Sequence, residues 1–145
     1  MAFSGNYVCN VFKTGMPSGT FNLNTGTSQV YKIALYTNSA TLDATTATYT
    51  SSGEAYGTGY TAGGATLVVA QVPTTGATGT TAYFSFNNVT WSGAITARGA
   101  LIYLANGTTN PTVCVLDFGS NKSSSSTFTV QFPSPTNTSA IIRIS

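Results

Sequence analysis

The apolar residues of this chain recur at every second position rather than at every third and fourth, and that spacing constrains the fold more than any other feature. Side chains alternate between the two faces of a β-strand, whereas a helix gathers residues three and four apart. Phe128, Val130 and Phe132 alternate with Thr127, Thr129 and Gln131, the pattern of a half-buried strand with a polar, uncharged outer face. Tyr31, Ile33 and Leu35 share one face of a second segment, and Val30, Lys32, Ala34 and Tyr36 share the other. Phe84 and Phe86 share a face of Ala82–Phe86. Further strands are expected at Tyr7–Lys13, Thr66–Val72, Gly99–Leu104, Thr112–Phe118 and Ile141–Ile144. Several are nearly continuous apolar runs, as expected where both faces are covered.

Turn residues punctuate these runs, among them Met16-Pro17-Ser18-Gly19, Gly63-Gly64, Gly119-Ser120-Asn121 and Pro133-Ser134-Pro135. Asn106-Gly107 is a hairpin dipeptide and predicts antiparallel pairing of the strands on either side of it. One short helix is conceivable at Thr41–Thr48, with Ser39 as its cap, although Thr is a poor helix former. Ser123–Ser126 reads as an exposed loop. The fold class expected is all-β: a single antiparallel β-sandwich, jelly-roll or immunoglobulin-like, with at most one short helix. No linker divides the chain, so residues 1–145 form one domain, with residues 1–6 as a flexible N-terminal arm.

Composition bears on function. Charged residues make up only 6% of the 145 positions, and there is no His, against about 25% charge in an average domain. The three carboxylates, Asp43, Glu54 and Asp117, lie far apart in sequence. Nucleophilic catalysis by Ser or Cys generally needs a base, most often His. A glycosidase-type acid pair of Glu54 with Asp117 or Asp43 has no support in the spacing. The expectation is therefore a protein that is not an enzyme, with no catalytic residue, no cofactor and no metal. Glu54 and Asp117 are expected to cap turns or to pair with Arg98 or Lys122. Gly57–Gly64 is glycine-rich but lacks the Gly-Lys-Ser/Thr ending of a phosphate loop. Asp117-Phe118-Gly119 suggests an Asx-type turn rather than a calcium site.

Lys13, Lys32, Arg98, Lys122 and Arg143 are scattered singly, which argues against a nucleic-acid partner. No run approaches the ~18 apolar residues of a membrane helix, and the start of the chain does not read as a secretory signal. Synthesis in a cytoplasm and no membrane partner are expected. Cys9 and Cys114 sit in apolar runs and are expected as buried free thiols, with a disulfide as the alternative. Aromatic residues make up 12% of the chain. Tyr36, Tyr49, Tyr56, Tyr60 and Trp91 lie in or beside turn-rich regions, where they either roof the core or face outward. Tyr36, Tyr56, Tyr60, Trp91 and Arg98 are the candidate interface residues.

Several segments carry a resemblance: Lys32-Ile33-Ala34-Leu35-Tyr36, Ala40-Thr41-Leu42-Asp43, Gly53-Glu54 and Gly59-Tyr60-Thr61-Ala62-Gly63-Gly64, then Thr96–Tyr103 and Val115-Leu116-Asp117-Phe118-Gly119. Across residues 30 to 132 the chain resembles small virion structural proteins of tailed bacteriophages. The resemblance implies a particle component without catalytic residues. A single β domain of this size suits a capsid cement or decoration protein. Such a protein binds outside the head, bridges major capsid subunits and associates with itself as a homodimer or homotrimer. The alternative is a tail or fibre adhesin module whose Tyr- and Trp-bearing loops bind a host surface glycan.

Overall fold

A computed structural model describes residues 3–145. Its elements are β1 (Tyr7–Val8), α1 (Asn10–Gly15), β2 (Tyr31–Tyr36), β3 (Ala65–Leu67), β4 (Val69–Thr74), β5 (Ala82–Phe86), β6 (Val89–Ser92), β7 (Thr96–Leu104), β8 (Thr112–Ser123), β9 (Thr127–Val130) and β10 (Ile142–Ile144). Every pairing is antiparallel. A five-stranded sheet has the order β1-β8-β7-β2-β3, a three-stranded sheet the order β10-β5-β4, and β6 pairs with β9. The all-β sandwich-like fold expected from the alternation is present.

The two side-chain rows of β2 explain the layering. Tyr31, Ile33 and Leu35 point into one core with Ala100, Ile102 and Leu104 of β7. The smaller sheets close over this inner face with Phe84, Phe86, Val89, Trp91, Phe128, Val130 and Ile142. Ala34 and Tyr36 belong to a second core on the outer face, with Leu101, Tyr103, Val115, Cys9, Ala40 and Leu42. Burying one large aliphatic or aromatic side chain contributes about 1.5–3 kcal/mol, and both faces of the large sheet collect this gain. That double burial is why β2, β7 and β8 read as continuous apolar runs.

The Asn106-Gly107 hairpin forms as expected. Asn106 Oδ1 accepts the backbone N–H groups of Thr108, Thr109 and Asn110, which fixes the loop while β7 and β8 pair from Tyr103↔Thr112 outward. Beyond Gly99↔Asp117 the next pair is Ala97↔Lys122, so β8 bulges. Gly119 supplies the left-handed backbone there, at φ 79°. The turn expected at Gly119-Ser120-Asn121 is thus a bulge inside a longer strand, and β8 takes in Ser123 as well.

Three other expectations need correction. The segment Tyr7–Lys13 is a strand only at Tyr7–Val8. Cys9 N–H still donates to Val113 O, but Asn10 N–H donates to Ala44 O, and the chain coils into α1 so that Phe12 drops into the inner core against Phe21 and Phe84. The helix conceived at Thr41–Thr48 does not form. Asp43 Oδ1 accepts both the N–H and the hydroxyl of Thr45, a local bond that competes with helix, and Thr48 makes an extended bridge to Pro111. The run Thr66–Val72 divides at Val68 between two sheets. Strand β6 was not anticipated. Of the arm expected at residues 1–6, residues 1 and 2 lie outside the described residues. Phe3 is buried in the outer core, and Asn6 Oδ1 accepts Asp117 N–H.

Candidate functional site

The outer face is roofed by the irregular loop 37–64 between β2 and β3. Irregular loops of this length are uncommon and generally have a function. Its organiser is a single carboxylate. Glu54 Oε2 accepts the Tyr49 hydroxyl at 2.6 Å. Oε1 accepts the Tyr60 hydroxyl at 2.6 Å and Gly63 N–H at 2.7 Å. The Tyr60 oxygen in turn accepts Leu35 N–H at 2.9 Å. Tyr103 donates to Gly63 O at 2.7 Å and stacks on Tyr49 with centroids 4.7 Å apart. Tyr36 donates to Thr50 O. The backbone joins in, because Tyr36 bridges Glu54 and Ala55 N–H donates to Leu35 O. Bonds to an ionised acceptor are roughly twice as strong as neutral ones, so one charge holds down the middle of the roof.

Burial and the nearby carboxylate raise the Tyr36, Tyr49 and Tyr60 phenols well above their ordinary value. In the inner core, burial pushes Tyr31 up to about 12. These phenols act as donors and are held neutral. The signal in the sequence was a lone Glu within a few residues of Tyr49, Tyr56 and Tyr60; Tyr103 comes from another strand and left none.

The remaining acids have separate local duties. Asp117 pairs with Arg98 and accepts Gly119 N–H, so both the ion pair and the Asx-type turn form. The Arg98 guanidinium also lies 5.5 Å from the centroid of Phe3. Asp43 serves the Thr45 turn, whose hydrogen bonds lower its pKa. Each acid therefore has its own bonded partners, and among the described residues no three His, Cys, Asp or Glu gather as metal ligands. No helix among them is long and apolar enough to cross a membrane. Cys9 and Cys114 are both free and buried.

The candidate interface residues separate sharply. Tyr36 is 0% exposed and Trp91 6% exposed, so both are core residues: Tyr36 sits under the roof, and Trp91 packs near Tyr60 and Phe128. Tyr60 is half-buried with its hydroxyl on Glu54. Arg98 is mostly buried against Asp117. These four are held by intramolecular partners on both their apolar and polar parts, which is why they do not face outward. Tyr56 is the exception, at 81% exposed.

Tyr56 stands beside a surface cavity of about 540 Å³. Thr37, Asn38, Ser39, Thr96 and Asn121 line it with hydroxyl and amide groups, and no charged residue does. A second groove, of about 420 Å³, runs between the far half of β8 and the edge of β9, past Phe118, Phe128 and Val130. No family model, curated protein or solved structure matches the chain.

Proposed function

We propose that this chain is a structural protein of the bacteriophage virion, a capsid cement or decoration protein. It is made in the bacterial cytoplasm and works on the outside of the head. Its partners are the major capsid protein and further copies of itself. The observation that carries the reading is where the charges go. Glu54 is tied into the roof, and Asp117 with Arg98 into the β7–β8 bulge, while Lys13, Lys122 and Arg143 stand singly on the surface with their charges in water. What faces outward is chiefly Thr, Ser, Asn and Gly. Such a surface packs against a protein shell without stripping ions of water, a desolvation that costs several kcal/mol per ion.

The resemblance over residues 30 to 132 supplies the particle. Two further features suit a lattice. Among the described residues strand β9 pairs with β6 alone, so its other edge is open to an added strand. Repeated copies on a shell turn weak contacts into avid ones.

The test is to add the purified protein to expanded heads that lack it. Co-sedimentation at a stoichiometry tied to the major capsid protein, with raised resistance of the heads to heat, is expected. Heads that bind none of it, or that gain no stability from it, overturn the reading. Copies confined to the tail of the intact particle overturn it in favour of the adhesin module.

A further inference from the structure

The strongest unassigned feature is the cavity beside Tyr56, and we propose that it is a binding subsite for a neutral sugar ring. The inference goes beyond the structural role and rests on the geometry of this one cavity.

The first argument is the ring itself. Tyr56 leaves its aromatic face in water although the core is rich in aromatics that are covered. An exposed aromatic ring presents a flat apolar face with a polar tip. A pyranose has the complementary shape, with an apolar C–H face rimmed by hydroxyls.

The second argument is the lining. The side chains of Asn38 and Asn121 are exposed and make no hydrogen bond to the described residues. Each carboxamide offers both donors and an acceptor, the pair of functions that neighbouring sugar hydroxyls require. Thr37 and Ser39 already share a hydrogen bond at 2.7 Å, as Thr96 does with Ser123 at 2.8 Å, so these hydroxyls are oriented in advance. No lining residue is charged, which selects against phosphate, sulfate and carboxylate ligands. The volume of about 540 Å³ falls within the range of about 300–1,000 Å³ typical of small-molecule sites.

The third argument is rigidity. Loop 57–59 lies backbone to backbone on the β6–β7 turn. A Cβ on Gly59 would meet Ser92 O at 1.8 Å, and one on Gly93 would meet Thr58 O at 1.7 Å. Only glycine permits that approach. On its other side Tyr56 follows Ala55, which is buried and hydrogen-bonded to β2. Binding therefore does not have to order the loop first.

The test uses the full chain on a printed array of neutral hexose and N-acetylhexosamine oligosaccharides, with sialylated and sulfated oligosaccharides beside them. A neutral oligosaccharide that binds is then titrated into isotope-labelled protein by NMR. The expected result is selective binding of neutral glycans, with shifts centred on Tyr56, Thr37, Thr96 and Asn121. Tyr56→Ala should weaken binding about tenfold or more and Asn121→Ala by a smaller factor, while Tyr56→Phe keeps most of it. Tyr56 is exposed, so these variants keep the fold, which their circular dichroism checks. The proposal is overturned by an array on which no neutral glycan binds, by a preference for the anionic glycans, or by binding that Tyr56→Ala leaves unchanged. Because the head-binding assay contains no free glycan, failure there and failure here are separate results.

Discussion

The two faces of the five-stranded sheet are built on different physics. The inner face is sealed by rings and aliphatic chains from α1, β4, β5, β6, β9, β10 and the loops between them, and its cohesion is spread over many contacts. The outer face is sealed by a loop with little regular structure: backbone bonds to Asn10 and Thr112 tie down its first half, and the side-chain bonds of its second half converge on one carboxylate. Distributed apolar packing loses stability in proportion to what is deleted. A hub loses several bonds at once when a single atom pair is removed. The same sheet therefore has one face that degrades gradually and one that fails at a point.

The largest effect should come from the inner face. Phe84→Ala opens a cavity among Phe12, Phe86 and their neighbours, and a loss of about 3–5 kcal/mol is expected from denaturant unfolding. The comparison breaks if Phe84→Ala leaves global stability intact.

Glu54→Ala should cost about 2 kcal/mol, because it strands two phenols and an amide that had an ionised acceptor. Its signature is local. Hydrogen exchange should speed up at Leu35, Ala55 and Gly63 while β7 and β8 stay protected. Uniform acceleration would show that the roof and the sandwich open together. The same network carries a pH signature. The folded phenols are raised above the ordinary tyrosine value of about 10. Their contribution is complete below that pH and is lost as pH rises through the higher folded values. Alkaline unfolding, followed by tyrosinate absorbance, should begin above pH 10, and Tyr60→Phe should blunt it.

The smallest effect is at Asp43, a half-buried residue whose carboxyl pKa is lowered by hydrogen bonds from Thr45. Its stabilisation is present above the unfolded carboxylate pKa and lost as pH falls through the folded one. Asp43→Asn should change stability by a few tenths of a kcal/mol at neutral pH and flatten the acid limb of the stability curve. A loss as large as that of Glu54→Ala would mean that the Thr45 turn anchors the roof as firmly as the Glu54 hub does.

Much of the inner face was legible in the sequence, because alternation is a local signal. Tyr31–Leu35, Phe84–Phe86 and Phe128–Val130 each declare a buried row within a few residues, and Asn106-Gly107 declares its hairpin. The roof was not legible, because its logic is non-local. Tyr103 and Glu54 meet at Gly63 only after β7 has paired with β2. The helix was placed at Thr41–Thr48 instead of Asn10–Gly15, because nothing near Phe12 shows that Asn10 N–H finds Ala44 O rather than a strand partner. Among the aromatics of the candidate interface, sequence position beside turns did not separate Tyr56 from Tyr36 and Trp91. The roof covers Tyr36, and the smaller sheets enclose Trp91.

The two free thiols have a practical corollary. Cys9 is 0% exposed and Cys114 3% exposed, and burial raises both pKa values, so neither is a reactive thiolate while the sheet is closed. An alkylating reagent can modify them only during an opening. The rate of modification thus serves as a native stopwatch for how often the molecule breathes, with no introduced label.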